Sequence, residues 1–256
     1  MCGIMGFART AENTVVTRKA ILGTFAGISE RGLHASGYAI LGAKTTWAAR
    51  AAVPSTIMAE NAKLRKRLAG ARLMIGHARF ATNGEPSDNR NNHPHSTDRL
   101  TLSIVHNGVV RFRPKDIEPH LRTECDSEIL LRILEREGIR DGFRRISRMP
   151  GADFAVMAID RLDGALYAFR NEERPLVFAN LKMEIGGYLI ASTEEILRTA
   201  VDKAGMGQPR RVYTMLPFAL YRFRPEESVE KIATVSDGWK RTRSLRYSFL
   251  RDRIGA

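Results

Sequence analysis

Cys2 follows the initiator methionine in the opening string Met-Cys-Gly-Ile-Met-Gly-Phe. If Met1 is trimmed, the residue left at the terminus carries a thiolate nucleophile and a free α-amine on adjoining atoms. That amine titrates near pH ~7.7–8.0 in peptides, close to where a general base should sit. One residue would then supply both nucleophile and base, as in the N-terminal variants of triad chemistry. Gly3 and Gly6 let backbone pack closely around this end, and Ile4, Met5 and Phe7 read as a buried strand that anchors it. By itself the string is short, and a small buried cysteine at a strand end fits it equally well.

Three polar groups downstream change the balance: Arg79 with Thr82, the pair Asn107-Gly108, and Asp126. Singly they read as a strand-end charge, a turn residue, a turn signal and a helix cap. Jointly with Cys2 they are the parts needed to open the side-chain amide of glutamine. A cysteine attacks, an asparagine amide and a glycine N–H hold the oxyanion, an arginine clamps an α-carboxylate, and an aspartate holds an α-ammonium.

The strings that carry these residues are Met1-Cys2-Gly3-Ile4, then Gly76-His77-Ala78-Arg79-Phe80-Ala81-Thr82-Asn83-Gly84-Glu85-Pro86-Ser87. His93-Pro94-His95, Val105-His106-Asn107-Gly108-Val109 and Cys125-Asp126-Ser127-Glu128 follow in order. The set resembles the class II glutamine amidotransferases of the N-terminal-nucleophile hydrolase superfamily, and in wording the glutaminase domain of the glucosamine-phosphate synthases. The resemblance implies an α+β fold, a four-layer αββα sandwich. It implies Cys2 as nucleophile and base, Asn107 and Gly108 as oxyanion hole, and Arg79, Thr82 and Asp126 as glutamine-binding residues. Arg31 and His93 would support loops around the pocket. Two departures stand out. Relatives carry Arg-Gly-x-Asp-Ser-x-Gly where this chain has Arg31-Gly32-Leu33-His34-Ala35-Ser36-Gly37, and Phe80 replaces a frequent tryptophan.

The elements that must position these residues follow from periodicity. A helix is expected over 15–28, strands over 38–41 and 47–53, and one exposed helix over 55–68 opened by Pro54. Leu73 to Phe80 is a strand, and 85–95 a polar loop too turn-rich to be core. A strand over 100–105 closes at His106-Asn107-Gly108. Asp126 caps an amphipathic helix, with a second helix over 142–148. Short strands follow over 154–159, 165–170, 176–179 and 188–191, then a helix behind Thr193. A closing hairpin is expected across Pro217, from 211–216 to 218–223. The expected division is a glutaminase domain over 1–223 and a basic extension over 224–256 with no second catalytic domain.

With 43% hydrophobic and 27% charged residues, the composition is that of an ordinary globular chain. Nothing resembles a membrane span or signal peptide, and two cysteines exclude a disulfide scaffold, so a cytoplasmic location is expected. The net charge of +13 is spread along the chain, densest at Lys240, Arg241, Arg243, Arg246, Arg251 and Arg253. No RNA-binding, zinc-spacing or helix-turn-helix motif accompanies it. A solvated basic surface, or a docking face for an acidic partner subunit, is therefore expected rather than nucleic acid. No cofactor or metal is expected. The leading reading is a glutaminase subunit that passes ammonia to a separate synthase. A γ-glutamyl amide hydrolase and a catalytically silent binding subunit are the alternatives.

Overall fold

A computed structural model describes residues 1–11, 14–181 and 186–235. In chain order the first strands are β1 (Gly3–Arg9), β2 (Ala35–Leu41), β3 (Thr46–Ala51), β4 (Leu73–Arg79), β5 (His95–Ser96) and β6 (Leu102–Val110). The rest are β7 (Ala152–Asp160), β8 (Ala165–Arg170), β9 (Val177–Leu181), β10 (Gly187–Ala191), β11 (Val212–Thr214), β12 (Ala219–Phe223) and β13 (Glu230–Thr234). The helices are α1 (Val15–Gly27), α2 (Ser55–Ala59), α3 (Ala62–Leu68), α4 (Ser127–Ser147) and α5 (Glu194–Lys203).

The strands form two antiparallel sheets, ordered β11-β9-β10-β1-β4-β2-β3 and β13-β12-β8-β7-β6-β5. Strand alternation distributes the apolar residues among three cores. On β1, Ile4 and Ala8 enter the core between the sheets, while Met5 and Phe7 pack under α1, α2, α3 and α5. On β4, Leu73 and Ile75 take the inner side, and Met74 and Ala78 the helical one. The outer face of the second sheet is covered by α4 through Ile129, Leu130, Ile133, Leu134, Phe143 and Ile146. The order helix, sheet, sheet, helix is the four-layer αββα sandwich. Each large side chain fully buried here contributes about 1.5–3 kcal/mol.

Local signals explain most boundaries. Thr14 opens α1 with a reciprocal capping box to Thr17, and the Thr193 side chain accepts from the Ile196 N–H at the start of α5. The helix expected over 55–68 is broken instead, because Asn61 Oδ1 accepts from the N–H groups of Lys63 and Leu64 and starts α3. The two helices expected after Asp126 are both present within Ser127–Ser147, separated at Gly138, whose φ of 77° and ψ of 168° are not helical.

Three further differences bear on the site. Asn107-Gly108 is not a turn: β6 runs through it to Val110, paired with β7 throughout. The 85–95 loop is not wholly solvated, since Asn91, Asn92, His93 and His95 are buried. The residues flanking Pro217 are not a hairpin, because β11 pairs with β9 in one sheet and β12 with β8 in the other. The second sheet continues past Phe223 into β13. The basic run from Lys240 to Arg253 lies outside the described residues.

Candidate active site

Strand parity gathers the predicted residues at one end of the sandwich. Cys2 precedes β1 on the side of Ile4, and Arg79 ends β4 on the side of Leu73 and Ile75. Asn107 lies on β6 with the parity of Val105. All three therefore occupy the inner faces of the two sheets. The register Gly3↔Ala78 brings Cys2 level with the end of β4, where the Phe80 N–H donates to its Sγ at 3.4 Å. A bond across the sandwich joins the sheets here, between His77 Nε2 and the His106 carbonyl, 3.1 Å apart.

Cys2 is held at its carbonyl by Arg31 Nε, at 2.9 Å. Burial pushes its thiol up, against a downward pull from the Phe80 contact, the chain's amino terminus and Arg79, while Asp126 pushes it further up. Arg79 and Asp126 thus both act on the cysteine. Met1 is exposed, and its sulfur lies 3.1 Å from Arg174 Nη1 and 3.6 Å from Arg31 Nη2. A cavity of about 370 Å³ opens beside this end, lined by Met1, Glu30, Arg31, Leu33, His34 and Phe80.

Asn107 is 1% exposed, and its Nδ2 finds no hydrogen-bond acceptor among the described residues. Such a buried donor is costly in a folded core and stands ready for an incoming oxygen. Gly108 has no room for a side chain, since a Cβ would sit 1.8 Å from the Asp153 carbonyl oxygen. His106 beside it is fixed by Ser127 Oγ at 2.8 Å and by the Asp153 carbonyl at 3.1 Å.

Arg79 is buried at 3% exposure. Its Nη1 donates to Asn92 Oδ1 at 2.9 Å, and its Nη2 to the carbonyls of Asn83 and Gly84, the latter at 2.9 Å. No carboxylate pairs with it among the described residues. Thr82 is exposed in the turn that follows. Asp126 does not cap α4: its side chain makes no capping bond, and Oδ2 accepts from the Val110 N–H at 2.6 Å. That carboxylate therefore turns toward the end of β6, two residues beyond Gly108.

The departures at 34 and 80 form a unit. The Ala81 N–H donates to His34 Nδ1 at 2.9 Å, and the imidazole lies against the Phe80 ring at 5.0 Å between centroids. His34 thereby supports the turn leaving β4. Gly32 permits this approach, for a Cβ there would lie 2.4 Å from the Arg79 carbonyl carbon.

Sequence reasoning missed the supports of the 83–95 loop. Asn92 accepts from Arg79 and donates to the Pro86 carbonyl at 2.7 Å, while Arg50 Nη1 donates to the carbonyls of Asn92 and Pro94. His93 stacks on His77 at 3.9 Å and meets His95 edge-on at 4.6 Å. Burial holds His77 and His93 well below the usual imidazole range and pushes His95 down to about 3. The adjacent amides of Asn91 and Asn92, set just before His93-Pro94-His95, were the signal of a buried loop.

No family model matches the chain. It is 28% identical over 169 residues to a glutamine–fructose-6-phosphate aminotransferase of Symbiobacterium thermophilum, a match covering 62% of this chain and 26% of that protein. The chain thus spans about a quarter of that relative's length. Among solved structures, the glutamine phosphoribosylpyrophosphate amidotransferase of B. subtilis superposes with a TM-score of 0.66 at 18% identity, over 90% of this chain and 49% of that one. A glutamine aminotransferase class-II domain protein from Silicibacter pomeroyi gives 0.55 at 15% identity, over 91% of this chain and 100% of that one. Two antiparallel sheets between helical layers and these matches give the chain the fold of the class II glutamine amidotransferases, to which its sequence is distantly similar.

Proposed function

We propose that this domain hydrolyses the side-chain amide of glutamine to glutamate and ammonia, with Cys2 as the terminal residue of the working chain. The observation that carries this is the unpartnered, buried Nδ2 of Asn107 on the sheet face opposite the one that presents Cys2. In this reading the α-amine takes the thiol proton and sulfur attacks the amide carbon. The resulting oxyanion accepts from Asn107 Nδ2 and the Gly108 N–H. Collapse expels ammonia, protonated by the α-ammonium, and leaves a γ-glutamyl thioester. Water, deprotonated by the same amine, then releases glutamate. The donors that Arg79 does not give to the loop take the substrate carboxylate, Asp126 takes the ammonium, and Thr82 borders the pocket.

Met1 stands over this machinery. As long as it is attached, the Cys2 nitrogen is an amide without usable basicity, so its removal is part of the proposal. Ammonia is then passed to an acceptor on a separate synthase. The cavity beyond Cys2 also favours a second reading, hydrolysis of larger γ-glutamyl amides whose substituent would lie between Leu33 and Phe80. Rates with glutamine and with γ-glutamyl anilides decide between the two.

The test of the nucleophile combines mass and activity. Ammonia release from glutamine should track the fraction of chains that begin at Cys2, and should vanish in Cys2→Ala with an unchanged circular-dichroism spectrum. Full activity in a chain shown by mass to retain Met1 would return Cys2 to an ordinary thiol.

A further inference from the structure

We propose that His93, His95 and Cys125 form a metal site, suited by its donors to zinc, that ties the 83–95 loop to the turn before α4. One ligating atom from each residue lies within 4.8 Å of the other two, and all three residues are buried. Both ring nitrogens of His93 and the Nε2 of His95 have no hydrogen-bond partner among the described residues. A buried polar nitrogen left without a partner destabilises the fold, and coordination removes that cost. Two imidazoles and a thiolate are the donors zinc takes, with bonds of about 2.0–2.1 Å to nitrogen and about 2.3 Å to sulfur. Tetrahedral geometry with such bonds puts the donor atoms about 3.3–3.6 Å apart. Binding therefore shortens separations of up to 4.8 Å by at most about 1.2–1.5 Å, a movement shared by the loop and by His95 at the start of the edge strand β5.

Charge acts both ways. Arg50 and Arg79 lie near enough to His95 to oppose a cation. Against them stand the thiolate itself and the Asp126 carboxylate, whose Oδ1 is 4.0 Å from Cys125 Sγ. The consequence reaches the proposed glutamine pocket without entering it. His93 adjoins Asn92, the partner of Arg79, and Cys125 adjoins Asp126. A bound ion would fix the spacing between the two residues assigned to the substrate's charged head. Spacing could not reveal the site from sequence, because the histidines and the cysteine come from separate loops and only His93-Pro94-His95 is contiguous.

The test uses the whole chain, stripped with chelator and dialysed against Zn²⁺ or Co²⁺. About one ion per chain should be retained, and Co²⁺ should give a thiolate-to-cobalt charge-transfer band. That band should persist in Cys2→Ala, which removes the other thiol, and disappear in Cys125→Ser. His95→Gln, which leaves both thiols in place, should lower metal retention at least tenfold. Zinc should also raise the melting temperature of the wild type. A folded wild-type chain that retains no zinc after this treatment overturns the proposal. So does a cobalt band that survives Cys125→Ser or is lost with Cys2→Ala, since either outcome places the ion elsewhere.

Discussion

At the scale of single residues, stability and activity make opposite demands at Asn107. Its amide is buried with an unpartnered Nδ2, so removing the side chain forfeits no donor bond of the folded state. If the amide serves the oxyanion, Asn107→Ala should lower kcat for glutamine by about 10²–10³. The urea midpoint should shift by no more than about 1 kcal/mol equivalent, the usual effect of a tolerated substitution. A near-normal kcat in a folded variant would remove Asn107 from the chemistry. Arg79 is different, because it holds Asn92 and the carbonyls of Asn83 and Gly84 as well as any substrate. Arg79→Ala would mix a loosened loop with a lost clamp. Arg79→Lys keeps the charge and loses the planar fork. It should raise KM for glutamine by roughly one to two orders of magnitude, the worth of a charge-assisted bond, and alter kcat less. An unchanged KM would leave Arg79 as a loop support alone.

At the scale of elements, the course of β6 decides how the site is displayed. Read as sequence, Asn107-Gly108 has the composition of a turn, and local chemistry gave no reason to continue the strand. The structure continues it because β7 supplies a partner for every residue to Val110. Long-range pairing overrode a local preference, and it set Asn107 on an inner face where a turn would have exposed it. The same kind of information was missing for Asn91 to His95, whose polar side chains are satisfied or stacked only by distant residues such as Arg79, Arg50 and His77. It was missing again at Pro217, where two short apolar runs look adjacent yet join different sheets. By contrast β1, β4, α1 and α5 were legible, since their alternation and caps lie within a few residues. Asp126 was found by its place in a motif, although capping, the local reason first attached to it, does not hold. The strand reading of Gly108 is testable. A Cβ there would press on the Asp153 carbonyl, so Gly108→Ala should destabilise the domain by about 2 kcal/mol or more. Its amide protons along β6 and β7 should exchange faster near Val109 than near Ser103. A variant as stable as the wild type would contradict the tight pairing at this end.

At the scale of the whole molecule, the two sheets are joined near the site by a column of imidazoles in place of apolar packing. His77, His93 and His95 stack or meet edge-on, and His77 reaches across to the His106 carbonyl. Burial lowers all four of these histidines, His95 to about 3. The sign of the linkage follows directly. Below the ordinary imidazole value of about 6.5 the unfolded chain takes up protons that the folded chain refuses, so stability falls as pH falls. For His95 the loss sets in as pH falls toward about 6.5 and runs down to about pH 3, with little pH dependence above about pH 7.5. A histidine still neutral at pH 5.5 in the fold costs about 1 kcal/mol between pH 6.5 and 5.5. His95, with its value near 3, should therefore remove about 1 kcal/mol over that single step, and the lowered His77 and His93 act in the same direction. Urea midpoints measured in chelator at pH 7.5, 6.5 and 5.5 test this, with chelator present so that metal release adds nothing. The midpoint should fall slightly between pH 7.5 and 6.5, fall more steeply by pH 5.5, and fall less in His95→Gln. A midpoint that stays level to pH 5.5 would mean that the column accepts protons in the folded state, and that the ends of the two sheets open to water where the histidines now close them.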